Sequence, residues 1–197
     1  RKANIGQAIQ TAMQHLREKG KPVHVLDIAS GHGRYVLDAL AAEALPESVR
    51  LRDYSPINVA AGQALIAERG LQKVATFDEV NAYERANYQN LNPRPTLGIV
   101  SGLHELFPDN DLILQSLYGF GDAIEPGGYL IYTGQPWHPQ LEMIARCLSS
   151  HREGQDWAMR RRSQQEMDQL VEKAGFEKVH QWIDDDGIFT VSLAVRK

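Results

Sequence analysis

The sequence predicts a doubly wound α/β domain: a mostly parallel seven-stranded sheet covered on both faces by helices and closed by a C-terminal antiparallel hairpin. Three observations carry that prediction. Five short runs rich in branched residues alternate with segments of helical spacing, the mark of a parallel sheet joined by crossover helices. Glycine, proline or a capping residue punctuates most of the junctions. The last two apolar runs are separated only by the polar turn DDDG, so they form a hairpin rather than another crossover.

The elements follow in order. Ile5, Ala8, Ile9, Ala12, Met13 and Leu16 repeat at helical spacing, and Gly20 with Pro22 stops that first helix. VHVLDIA, from Val23 to Ala29, is the first strand, and RYVLDALAAEAL is a helix ended by Pro46. Val49 to Tyr54 alternates as a second strand; Ser55 then caps a helix with Pro56 at its first position, which runs through Arg69 to Gly70. Val74 to Phe77 and Thr96 to Ser101 are the third and fourth strands. DNDLILQSLYGFGDAI reads as a helix whose later turns are weakened by Gly119 and Gly121. PGG turns the chain into the fifth strand, YLIYTG, and a variable helical region follows. Ser163 with Glu166 forms a capping box for a helix with Met167, Leu170, Val171 and Ala174 on one face, ended by Gly175. FEKVHQWI and IFTVSLAV complete the sheet.

Bulk properties narrow the function. The 197 residues, 43% hydrophobic and 23% charged, suit one domain spanning 1–197. A formal charge of -4 gives no general field for nucleic acid, and no apolar run is long enough to span a bilayer. The single cysteine, Cys147, excludes an internal disulfide framework and fits a reducing compartment, so the expected location is cytoplasmic. On a helix face it reads as a small apolar filler. The chain starts at Arg1 within a helical pattern and without an initiator Met, which predicts a piece of a longer polypeptide.

In an open α/β sheet the ligand crevice lies at the carboxyl ends of the strands, bordered by the first strand-to-helix turn. Gly31 and Gly33 occupy that turn, where missing Cβ atoms let backbone touch a ligand. Asp53 ends the second strand, placed to accept hydrogen bonds from ribose hydroxyls. A dinucleotide fingerprint starting at Gly31 needs a third glycine where Val36 stands, and neither a phosphate loop nor a nucleophile elbow is present. Asp27, ending the first strand, suits a ligand with an ammonium group better than one with a pyrophosphate. A tight turn without ligand is the competing reading of the glycines, and helix capping that of Asp27.

VLDIASGHGRY, LRDYS, EPGGYLIYTG and SQQEMDQLVEKAGF, in that order, resemble class I S-adenosylmethionine-dependent methyltransferases over essentially Val23 to Lys197. SGLHELFPDN, YTGQPWHPQLEMIAR and GIFTVSLA are similar to the methyltransferase part of bacterial bifunctional α/β-hydrolase/methyltransferase proteins, which implies a possible N-terminal hydrolase domain in the full-length chain. The resemblance implies the Rossmann-like methyltransferase fold and S-adenosylmethionine as cofactor. It aligns Asp27, Ala29, Gly31 and Gly33 with the glycine-rich motif, with alanine replacing its first glycine. It further places Asp53 on the ribose, Tyr54 against adenine, Asn81 and Ala82 where an Asp-Ala pair often meets the adenine amino group, and Ser101 and Gly102 beside the cofactor after the fourth strand.

His104 and Glu105 follow that strand and are the expected catalytic pair, able to deprotonate or orient a methyl acceptor; service to loop backbone is an equal alternative. Pro108 breaks H-E-x-x-H, and no metal is expected. Gln135, Trp137 and His138 are the expected acceptor-binding residues, their alternative being a packed loop. Arg160, Arg161 and Arg162, with His151 and Arg152 upstream, read as a solvated helix start ahead of a clamp for an acidic acceptor, and Asp184 to Asp186 as a hairpin turn. The function expected is in-line methyl transfer to a small-molecule or lipid-linked acceptor; a non-catalytic S-adenosylmethionine sensor and, behind it, a nicotinamide-dependent oxidoreductase are the alternatives.

Overall fold

A computed structural model describes residues 1–40, 45–148 and 160–197. Seven strands form one sheet in the order β3-β2-β1-β4-β5-β7-β6. They are β1 (His24–Ile28), β2 (Ser48–Asp53), β3 (Ala75–Glu79), β4 (Leu97–Val100), β5 (Tyr129–Gly134), β6 (Phe176–Ile183) and β7 (Thr190–Arg196). Strands β1 to β5 pair in parallel. β7 runs antiparallel between β5 and β6, so one reversed strand lies next to the edge, as the terminal hairpin predicted.

The strand order reverses between β1 and its two neighbours, β2 and β4, which opens the crevice at their carboxyl ends. Alternation along the strands supplies both cores. Val25, Val49, Leu51, Leu97, Ile99, Ile131 and Leu193 pack under α1 (Lys2–Glu18), α2 (Arg34–Leu40) and α3 (Pro56–Glu68). Leu26, Ile28, Val100, Leu130 and Tyr132 face α4 (Asn110–Ala123) and α6 (Gln164–Lys173). Ser55 and Ser163 accept from the backbone N–H of Asn58 and Glu166, the caps read from the sequence.

Gly119 and Gly121 are packing devices rather than weak points of α4. A Cβ at Gly119 would stand 2.4 Å from the Tyr88 ring, and one at Gly121 would stand 2.5 Å from the Ala174 carbonyl oxygen. Their absence lets α4 close on the 3-10 turn Arg85–Tyr88 and on the end of α6.

Elsewhere the structure departs from the sequence reading. The helix expected to continue to Pro46 is described as Arg34–Leu40, and its residues 41–44 lie outside the described residues. β3 runs two residues beyond Phe77. The variable region contains α5 (Leu141–Cys147), which buries none of its residues, so Cys147 is exposed rather than an apolar filler. His151 and Arg152 lie outside the described residues. Among the described residues no helix is long and apolar enough to cross a membrane, and no group of three or more His, Cys, Asp or Glu could hold a metal ion.

Candidate functional site

Two loops meet at the carboxyl end of the sheet. The first leaves β1 through Ala29, Gly31 and Gly33, all in the left-handed region with φ of 51°, 57° and 68°. Ser30 ties this loop to β2: its N–H donates to the Arg52 carbonyl at 3.0 Å, and its hydroxyl accepts from Arg52 N–H at 3.2 Å. Gly33 N–H closes the turn onto Ser30 O at 2.8 Å, and Leu37 N–H donates to Gly33 O as α2 begins. A Cβ at Gly33 would collide with Leu51 at 2.4 Å, whereas one at Gly31 would meet nothing within 4 Å. Gly33 is thus glycine for packing as well as for its backbone, Gly31 for its backbone alone, and the surface above Gly31 is open.

Asp53 supports that open turn from the end of β2. Its Oδ2 accepts from Gly31 N–H at 2.9 Å, and its Oδ1 accepts from Ser55 N–H and Asn58 Nδ2 at 3.0 Å each. A carboxylate has about four acceptor directions, so one remains on Oδ2 for a ligand hydroxyl. Asp27 lies deeper and is fully buried. Tyr35 donates to its Oδ1 at 2.5 Å, while Oδ2 has no partner. Burial raises its pKa to about 7 against the lowering effect of the Tyr35 and Ser30 hydrogen bonds, and Asp53 adds to the rise. Asp27 therefore serves the loop from beneath, in an enclosed setting.

Tyr54 is 65% exposed and borders an open groove of about 320 Å³ with Val80, Asn81, Glu84 and Asn87. The Asn81 side chain accepts from Tyr83 N–H at 3.0 Å and donates to Glu84 at 3.2 Å, and the Ala82 carbonyl accepts from the Tyr88 hydroxyl at 2.7 Å. A second open hollow of about 440 Å³ flanks Gly31 itself, lined by Lys2, Ser30, His32 and Asn58.

The second loop follows β4 and is closed. Ser101 leads into Gly102, with φ 74°, whose N–H donates to Thr133 Oγ1 at 2.8 Å; Thr133 in turn donates to Glu105 Oε1 at 2.8 Å. Glu105 Oε2 is buried without a partner, and burial raises the pKa of the group. The Arg1 guanidinium lies 3.3 Å from where a Gly102 Cβ would stand and 5.1 Å over the Phe189 ring.

His104 turns the other way, into the core. Ser116 donates to Ile113 O at 3.0 Å, so at the 2.8 Å contact between His104 Nε2 and Ser116 Oγ the ring nitrogen is the donor. That fixes the tautomer and leaves Nδ1 buried with no partner. Burial, reinforced by Arg162, lowers the His104 pKa to about 3, so the ring is neutral and a weak proton acceptor at neutral pH.

The three arginines are engaged structurally instead of forming a solvated helix start. Arg162 is buried and donates to His104 O at 2.7 Å, Phe107 O at 2.8 Å and Asn110 Oδ1 at 2.7 Å. Arg160 donates to Pro108 O at 3.0 Å and pairs with Glu166. Arg161 donates to the Gln135 side chain. Gln135, Thr133 and Glu105 line a cavity of about 10 Å³, room for about one water molecule. Trp137 and His138 are not part of its lining: Trp137 is half exposed and donates to Gly187 O at 2.9 Å, and His138 Nδ1 accepts from Gln140 N–H at 3.1 Å. Asp184 accepts from Ile188 and Phe189 N–H, the turn role expected of it. Sequence reasoning missed Thr133, Tyr35 and Arg162. Position at a strand end was a signal for Thr133; nothing local marks Arg162 as buried.

A family model described as "Putative methyltransferase" matches residues 1–196. The chain belongs to this methyltransferase family. A relative from Escherichia coli K12, the uncharacterized protein YnbC, is 57% identical over 197 residues, covering 100% of this chain and 34% of the relative, so the chain spans about a third of that protein's length. Solved structures of similar fold include an S-adenosylmethionine-dependent methyltransferase from Clostridium acetobutylicum, with TM-score 0.73, 10% identity, and 97% of this chain and 90% of that chain covered. Another, from Methanosarcina mazei, has TM-score 0.71, 19% identity and coverage of 95% and 96%. The magnesium protoporphyrin IX methyltransferase of Synechocystis, solved with bound S-adenosylhomocysteine, has TM-score 0.70, 15% identity and coverage of 99% and 84%. The class I methyltransferase fold, a seven-stranded sheet with a C-terminal antiparallel hairpin, is therefore the fold of this chain.

Proposed function

We propose that this methyltransferase takes its methyl group from S-adenosylmethionine and passes it in line to an acceptor held above the ends of β4 and β5. The observation that carries the reading is the bare backbone at Gly31, open above and tied through its N–H to Asp53 at the strand-order switch. The residues fit such a ligand. Asp53 has one free acceptor direction toward a ribose hydroxyl, Tyr54 offers an exposed ring for adenine, and Asn81, followed in the chain by Ala82, borders the same groove. Ser101, Gly102 and Ala29 offer backbone to the methionine part, with Asp27 below as a buried counter-charge.

When bound, the cofactor supplies a methyl group already made electrophilic by its sulfonium, so the protein's task is to orient the acceptor and exclude water. Gln135, Trp137 and His138 are proposed to meet a small-molecule or lipid-linked acceptor. The resemblance to bifunctional proteins adds a hydrolase domain elsewhere in a longer chain, and the Escherichia coli relative has length to hold one.

Calorimetric titration with S-adenosylhomocysteine tests the cofactor assignment. Binding by the wild type, weakened at least about tenfold by both Asp53→Ala and Gly31→Val, is expected, since the first removes the ribose acceptor and the second puts a side chain into the open cradle. No binding by a folded wild-type protein overturns it.

A further inference from the structure

The least explained group at this end of the sheet is the carboxylate of Glu105. It is 8% exposed; Oε1 has a donor, and Oε2 has none. A buried carboxylate oxygen without a hydrogen bond is costly, and native proteins keep one where it has a task. Here the group is also aimed with care. Gly102 N–H donates to Thr133 Oγ1, which forces the Thr133 hydroxyl proton toward Glu105 and fixes the carboxylate at the wall of the cavity beside Gln135. The neighbouring histidine cannot share the work, because its ring is turned onto Ser116.

We infer that Glu105 is the general base of the transfer, held by Thr133 as a positioning residue, and that the acceptor is a neutral hydroxyl. This rests on the methyltransferase reading above and adds the acceptor class to it. In the step, the acceptor O–H proton goes to Glu105 Oε2 as an oxygen electron pair forms the bond to the methyl carbon. The electron pair of the breaking methyl–sulfur bond stays on sulfur, leaving a neutral thioether, and charge balances without an oxidant or reductant. A hydroxyl needs this help, since an oxygen methylated with its proton still attached is a strongly acidic oxonium, whereas an amine attacks as the free base and sheds its proton afterwards. The charged neighbours also favour a neutral acceptor: Arg1, Arg161 and Arg162 bear electrostatically on Glu105 and repel a further cation. Burial raises the Glu105 pKa against the lowering effects of its own backbone N–H, Thr133, Arg1 and Arg161, which strengthens it as a base.

The test uses the whole chain and three readouts. S-adenosylhomocysteine affinity is compared in wild type, Glu105→Gln and Thr133→Val; values within about threefold are expected, because Glu105 acts on the acceptor. Phenol is then titrated into the S-adenosylhomocysteine complex while the side-chain carboxyl ¹³C resonance of Glu105 is followed; a saturable shift is expected, with a titration midpoint above the ordinary glutamate range that moves higher in Thr133→Val. Finally, methyl-labelled S-adenosylmethionine is offered with panels of small phenols, alcohols, amines, thiols and carboxylates. Transfer to a hydroxyl that falls about 100-fold or more in Glu105→Gln, with loss of the acidic limb of the rate profile, supports the inference. Transfer only to amines, thiols or carboxylates, no hydroxyl methylated, an unshifted resonance, or equal rates in Glu105→Gln overturns it. A tenfold loss of S-adenosylhomocysteine affinity in Glu105→Gln overturns it too, by giving the carboxylate to the cofactor. Failure of the wild type to bind S-adenosylhomocysteine instead removes the reading beneath.

Discussion

The loops after β1 and β4 lie side by side at the same end of one sheet, yet they are built on opposite plans. The β1 loop is held by backbone: left-handed turns at Ala29, Gly31 and Gly33, short bonds to β2, and an open surface above Gly31. The β4 loop is held by distant side chains: Thr133 on β5 reaches its carboxylate, and Arg160 and Arg162 before α6 reach its carbonyls. Both loops bury ionisable groups with an unpartnered atom, Asp27 under the first and His104 and Glu105 under the second. The open turn is thus shaped by its own backbone, and the closed one by what packs behind it.

The largest expected effect comes from Asp27 and His104, which pull stability in opposite directions with pH. Asp27 has its pKa raised from 3.8 to about 7, so its contribution is present below pH 3.8 and is lost as pH rises to about 7. His104 has its pKa lowered from 6.5 to about 3, so its contribution is present above pH 6.5 and is lost as pH falls toward 3. Three pH units correspond to about 4 kcal/mol for each group, and the two slopes oppose each other between pH 4 and 6.5, with Glu105, raised by burial, adding to that of Asp27. Relative to the wild type, Asp27→Asn should tilt stability upward with pH across that window, and His104→Gln should tilt it downward. Urea unfolding at several pH values measures both; parallel curves for the two variants and the wild type would show that neither group changes its proton on unfolding.

Arg162→Met breaks the second loop's plan alone. Methionine keeps the apolar stem but removes the donors to His104 O, Phe107 O and Asn110 Oδ1, for an expected loss of about 3 kcal/mol in urea unfolding. S-adenosylhomocysteine affinity should change less than about threefold, because the β1 loop is held independently. A loss below about 1 kcal/mol would mean that Arg160 and Thr133 suffice to hold the loop.

The same contrast explains what the sequence made legible. The helix caps at Ser55 and Ser163, the glycine turn and the strand-end Asp53 are local patterns, and they place one side of the crevice directly. Arg162 and Thr133 are read only through partners 55 and 28 residues away, Phe107 and Glu105, which no local pattern reveals. Arg162 looks like a solvated charge because arginine is seldom buried, and its three acceptors are what permit it here. His104 looked like a base because it follows a strand end, and the direction of its ring depends on Ser116, one helix away.

The smallest effect sharpens the first loop's plan. Ala29 holds φ 51° with a Cβ, a conformation costing roughly 1 kcal/mol for an L-residue, at the position that the sequence resemblance aligns with the motif's first glycine. Ala29→Gly relieves that strain but frees the unfolded chain, which takes back roughly 0.5 kcal/mol. The expected result is a small net gain in urea-unfolding stability, on the order of 0.5 kcal/mol, with a modest increase in S-adenosylhomocysteine affinity as the methionine side of the crevice widens. If stability falls instead, the Ala29 methyl, packed against the second core, contributes more there than the backbone strain costs, and the left-handed turn is held by packing as the β4 loop is.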